Sequence, residues 1–266
     1  MKKLATALVS AAAIMTMSTT AFAAENPAEV FDRVMEKNNT IQSAEIQSGV
    51  HSVILAKDVI PDGQMKVDMA MHAEMDMQDT TDLKYLAQVA SSILGQDSYS
   101  QVFYTDGYYY VDANGVKLKY PMPLEQIISS VQTGVNTSNM ESSYMKGISL
   151  NEVNGKRVLA YEAKLNKNVK EALGTVMNTL GTDINLDMNI QEMKGAYVLD
   201  DNDYIIYMTN YIVYNMEVLD QSMTCITLME TEVQNPGEPV VVTLPSTDGY
   251  EDLIGLYDGV IESEVE

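Results

Sequence analysis

Residues 63–79, GQMKVDMAMHAEMDMQD, hold the densest set of soft, reactive side chains in this 266-residue sequence. From Met65 the odd positions read Met, Val, Met, Met, Ala, Met, Met, and the even positions between them read Lys, Asp, Ala, His, Glu, Asp. Alternation with a period of two places Met65, Met69, Met71, Met75 and Met77 on one face of a β-strand. A thioether offers three uses there. It can fill a core, it can line a surface that remodels around variable apolar ligands, or it can ligate a soft ion such as Cu(I). The alternation sends His72 to the opposite face, which argues against copper at this stripe.

The remaining reactive types give no constellation. His51 and His72 are the only histidines; they fall on strands expected to be neighbours, and no third ligand stands at a zinc spacing. Asp200, Asp201, Asn202 and Asp203 lack the spaced loop and later glutamate of a calcium site, and suit a polar turn. Cys225 is the single cysteine, so no disulfide can form within the chain, and no pattern pairs it with a histidine base. No G-x-S-x-G elbow or phosphate loop is present. Acidic pairs are too numerous to single out a glycosidase couple. The sequence therefore predicts neither a catalytic residue nor a metal or other cofactor.

The ends of the chain define its compartment. MKKLATALVSAAAIMTMSTTAFAAENP has two lysines, a short apolar run and Ala21-Phe22-Ala23, the three parts of a secretory signal peptide cut after residue 23. No cysteine follows the run, so a lipoprotein anchor has no attachment atom. Loss of Lys2 and Lys3 makes the net charge two units more negative than the −22 of the whole sequence. Such a charge repels nucleic acid and anionic lipid surfaces. The expected organisation is a signal peptide over 1–23, one domain over 24–250 and an acidic tail over 251–266, in a secreted or cell-envelope protein.

The elements that must position the methionines follow from punctuation. Asn26-Pro27-Ala28-Glu29 is a helix start, and Phe31, Val34 and Met35 give its buried stripe. Ala44, Ile46, Val50 and Ile54 mark a long strand ahead of the methionine strand. Leu83, Leu86, Ala90, Ile93 and Leu94 predict a helix over roughly 81–94. Asp106-Gly107 and Asn114-Gly115 predict a three-stranded meander, Leu124, Ile127, Ile128 and Val131 a short helix, and Asn154-Gly155 another hairpin. Val169, Ala172, Leu173, Val176, Met177 and Leu180 give a helical stripe. Long strands follow, INLDMNIQEMKGAYVLD, YIIYMTNYIVYNMEVL and SMTCITLMETEV, the last two joined near Asp220, with PVVVTLP as a final short strand. From Tyr204 the even positions are apolar except Asn210. Strands of about 12 residues would span on the order of 40 Å, which favours a curved sheet over a flat one.

This order of elements, with the phrases VFYTDGYYYVDANGVKLKY, GKRVLAYEAKL and VVTLP, resembles the LolA-like (LolA/LppX-type) proteins. It is most similar to uncharacterised secreted proteins and lipoproteins of Gram-positive bacteria that share their fold. The resemblance covers about residues 26–250. It implies an α+β protein: a curved antiparallel sheet forming an unclosed β-barrel with helices packed on its concave face. It further implies a non-catalytic binder of a lipid or other apolar ligand. Parity then selects Met65, Met69, Met71, Met75, Ile206, Met208, Ile212 and Tyr214 as the apolar lining. The competing reading is a secreted or envelope interaction module with a filled core, docking an unknown protein partner.

Overall fold

The computed structural model describes residues 25–56, 60, 62–79, 82–126, 140–165, 189–218 and 221–253. Helix α1 (Pro27–Asn38) opens the described chain. Asn26 caps it: its side-chain oxygen accepts from the Ala28 amide at 3.1 Å, and its amide group donates to Glu29 Oε1 at 3.1 Å. These bonds satisfy donors that a helix start leaves orphaned. Val30, Phe31, Val34 and Met35 form its buried stripe.

Among the described residues twelve strands follow: β1 (Ser43–Leu55), β2 (Gln64–Asp76), β3 (Lys84–Ile93), β4 (Gln96–Thr105), β5 (Tyr108–Ala113), β6 (Val116–Pro121), β7 (Met145–Val153), β8 (Lys156–Ala163), β9 (Asn189–Leu199), β10 (Ile205–Val218), β11 (Gln221–Gln234) and β12 (Glu251–Asp252). They form one sheet in the order β12-β6-β5-β4-β3-β2-β1-β11-β10-β9-β8-β7. Every pairing is antiparallel except that of β12 with β6. Because β12 and β7 lie at opposite ends of that order and do not pair, the sheet is an unclosed half-barrel.

Turn chemistry sets the hairpins. Asp106-Gly107, Asn114-Gly115 and Asn154-Gly155 all have positive φ, between 51° and 88°, the backbone that right-twisted two-residue turns demand. The segment expected as a helix over 81–94 is instead β3, joined to β4 through Leu94 and Gly95 at φ 53° and 76°. The helical spacing was coincidental. Tyr85 and Ala87 pack on one side of this strand and Leu86 on the other, so apolar residues stand at both parities and the period of two is hidden. PVVVTLP is also not a strand: residues 239–247 run across a sheet face rather than along an edge. Val240, Val242 and Leu244 pack there against Leu86, Phe103 and Tyr110. Residues 124–126 are helical where a helix was expected; the rest of that helix and the one expected over 169–180 lie outside the described residues.

The helix defines the inner face of the sheet. Val30, Phe31, Val34 and Met35 share a core with Leu159, Tyr161, Met193 and Tyr197 of β8 and β9. A second inner core gathers Ala44, Ile46, Ala73, Met75 and Met77 with Leu83, Tyr104 and Val233. The cluster beneath Val242 belongs to the outer face, since Leu86 has the opposite parity to Tyr85 and Ala87.

Candidate apolar-ligand face

Register places the parity-selected residues in rows. Across β2, β1, β11 and β10 the inner-face rows read Met71, Ser48, Thr231, Met208; then Met69, Val50, Met229, Asn210; then Val67, Ser52, Thr227, Ile212; then Met65, Ile54, Cys225, Tyr214. Met65, Met69, Met71, Met208, Ile212 and Tyr214 therefore share one face, with two strands between the two sets. At roughly 4.8 Å per strand the sets stand about 14 Å apart. Met75 is on the same face, paired with Ala44. Ile206 differs. A register irregularity between Ile205 and Tyr207 breaks the parity, and Ile205, not Ile206, enters the core under α1.

Burial is graded along the methionine stripe. Met75 is 1% exposed and packed in the core, whereas Met69 is 41% exposed. Ile93 and Val116, 44% and 60% exposed, lie on the same face toward the same end of the sheet. The stripe thus serves as core at Met75 and Met77 and as surface at Met69, with Met65 half-buried beyond it.

Hydroxyl groups alternate with the apolar rows, a feature that hydrophobic parity alone passed over. Ser48 and Thr231 hydroxyls lie 2.8 Å apart, Ser52 and Thr227 2.9 Å, and Ser91 and Ser98 2.6 Å. In each pair one hydroxyl donates and the other accepts, so each pair keeps one O–H available on the face. Asn210, the one polar residue in the even series of β10, is buried and accepts a hydrogen bond from the Tyr161 hydroxyl. Gly195 makes room for that bond: a Cβ there would meet Asn210 Oδ1 and the Thr209 carbonyl at 2.6 Å and the Tyr161 hydroxyl at 2.8 Å. Burial raises the ionisation of Tyr161 well above the ordinary phenol range and that of Tyr197 to about 12, so both are neutral donors at any physiological pH.

The acidic turn and the histidines serve other ends. Asp203 accepts from Arg33 Nε at 2.9 Å and from Arg157 Nη1 at 2.5 Å, and both guanidinium groups also reach Glu25. Asn38 donates to the Asp203 carbonyl at 3.0 Å and accepts from the Ile205 amide at 2.9 Å, pinning the end of α1 to the β9–β10 turn. Near the middle of the helix, Asp32 accepts from the Ser142 amide and hydroxyl at 2.7 and 2.6 Å. His51 pairs with Asp68 at 2.7 Å and His72 with Glu45 at 3.1 Å. His72 stands opposite Gln47, four residues along β1 from His51, a separation of about 13 Å, so the two histidines do not meet. Among the described residues no group of three or more His, Cys, Asp or Glu side chains could hold a metal ion, and no helix is long and apolar enough to cross a membrane.

A shallow depression of about 150 Å3 is lined by Asp82, Leu83, Tyr104, Thr105, Asp106, Gly107 and Leu124. None of the eight parity-selected residues borders it.

No protein-family model and no curated protein matches the chain. Among solved structures it is similar to LprF from Mycobacterium bovis, with 10% identity and a TM-score of 0.38 over 83% of this chain and 97% of that one. It is also similar to the ywiB protein from Bacillus subtilis, at 11% identity and a TM-score of 0.23 over 74% of this chain and 96% of that one. A beta-barrel-like protein of a domain of unknown function from Brucella abortus gives 11% identity and 0.23 over 74% and 100%. Overlap at this level leaves the fold description resting on the strand order and register above.

Proposed function

We propose that the protein is an extracytoplasmic, non-catalytic carrier that holds a lipid or similar apolar molecule against the inner face of the half-barrel. The observation that carries this reading is the open end of that face. Met65, Val67, Met69, Ile93 and Val116 share it, and three of these large apolar side chains are exposed to between 41% and 60%. Large apolar side chains exposed on one face of a sheet mark a candidate binding surface. Flexible thioethers let such a surface adapt to acyl chains of varied length and branching. The paired hydroxyl rows supply weak anchors for an ester or hydroxyl group, each pair keeping one O–H to donate.

The test is displacement of a fluorescent fatty-acid probe from purified protein, comparing wild type with Met69→Asp. Saturable uptake by the wild type and its loss in a folded variant support the carrier; equal uptake by both refutes this lining. A second reading, an interaction module that docks another protein, draws on the same exposed side chains, Met69, Ile93 and Val116. The module predicts no probe uptake by either protein.

A further inference from the structure

Three sulfur side chains outside the cores share two neighbouring rows at the far end of the β10–β11 hairpin. Met216 stands directly opposite Met223, and Tyr214 directly opposite Cys225. Parity puts Met216, Met223 and Cys225 on the inner face with Tyr214 and Ile212. Residues directly opposite in an antiparallel pair have Cβ atoms about 4.5–5.5 Å apart, and diagonal neighbours, as Met216 is to Cys225, about 7–8 Å, within reach of long side chains. None of the three belongs to the described hydrophobic cores. Met216 and Met223 are half-buried, and Cys225, directly opposite Tyr214, is 1% exposed.

We propose that Met216, Met223 and Cys225 form a binding site for a soft monovalent metal ion, Cu(I) in nature and Ag(I) as its redox-inert stand-in. Two neutral thioethers and one thiolate give the soft, all-sulfur donor set that selects Cu(I) over harder ions. Charge decides the oxidation state. One thiolate and one monovalent cation sum to zero, which a site largely withdrawn from water tolerates, whereas a divalent ion would leave a buried net positive charge. Binding replaces the thiol proton, which leaves to solvent, so one proton is released per ion bound and no redox step is involved. The site lies on the same inner face as the methionine stripe of β2, with Ile54 of β1 between Cys225 and Met65, and its existence does not depend on the apolar-ligand reading.

The experiment is an anaerobic titration of the full chain with Cu(I) held by a chromophoric chelator. It compares wild type, the Met216→Leu/Met223→Leu double variant, Cys225→Ser and, as a control, Met65→Leu/Met69→Leu. Leucine conserves volume, and circular dichroism checks that each variant is folded. The proposal expects one equivalent of Cu(I) per wild-type chain, one proton released, and protection of Cys225 from alkylation. Affinity should fall more than about 100-fold in the hairpin variants, beyond the loss usual for removing a merely supporting residue, and should be unchanged in the β2 control. If the wild type fails to compete for Cu(I), or the hairpin double variant competes as well as the wild type, the proposal is overturned. Loss confined to the β2 control would likewise overturn it, placing any copper on the methionine stripe.

Discussion

At the scale of single residues, the tightest constraint is the triple contact of Gly195, Asn210 and Tyr161. A methyl group at 195 would drive into backbone and side-chain oxygens that cannot both retreat without shifting β9 from β10. Gly195→Ala should therefore cost about 3 kcal/mol, at the upper end of ordinary overpacking, read as a lowered urea midpoint. Tyr161→Phe removes the donor and leaves the buried Asn210 oxygen unpaired, for an expected loss of about 1–3 kcal/mol. Phe31, wedged edge-on against Tyr161 at 5.8 Å, should cost about 3–5 kcal/mol as Phe31→Ala. The methionines divide by exposure. Met75→Asp places a carboxylate in a filled core and should prevent folding. Met69→Asp, on a site 41% exposed, should keep the wild-type circular dichroism and melting temperature to within a few degrees.

At the scale of elements, α1 is held against the inner face by one buried stripe and two polar latches. Burial acts to raise the Asp203 carboxyl, but its hydrogen bonds and charge pairing with Arg33 and Arg157 outweigh that and hold it below the ordinary carboxylate range. The sign of the linkage follows. The stabilisation is fully present above the unfolded value of about 3.9 and is lost as pH falls through the lower folded value. Asp203→Asn should cost on the order of 1 kcal/mol at neutral pH and flatten the acid limb of the stability profile below pH about 4. Equal acid limbs in the two proteins would show the latch to be idle. The same elements show what the sequence makes legible. Hairpins were readable because Asp-Gly and Asn-Gly announce positive φ locally, and α1 because its cap and stripe are both local. β3 was not, because a strand covered on both faces loses its period. PVVVTLP has strand composition, yet it is bracketed by Pro239 and Pro245, which donate no ladder hydrogen bond, and its place on the outer face depends on Leu86, Phe103 and Tyr110, remote in sequence. Ile206 and Asn210 were obscured by a register irregularity and by a partner 49 residues away.

At the scale of the whole molecule, the half-barrel has one filled end beneath α1 and one open end beyond Met69. The outer face is closed over β3 to β5 by the C-terminal segment, where Tyr250 stands edge-on to both Phe103 and Tyr110 at 5.6 and 5.2 Å. Tyr250→Ala should loosen that strap and cost about 3 kcal/mol at most, as the ring is only half-buried, without altering uptake on the opposite face. The apolar reach of the inner face was legible from parity, whereas its hydroxyl rows depend on a register that only pairing fixes. The most direct test of the carrier reading is native mass spectrometry of the protein purified from its own host, followed by solvent extraction of whatever is bound. The account predicts a stoichiometric apolar adduct that is absent from Met69→Asp. A clean apo mass, unchanged after incubation with a panel of lipids, would contradict it.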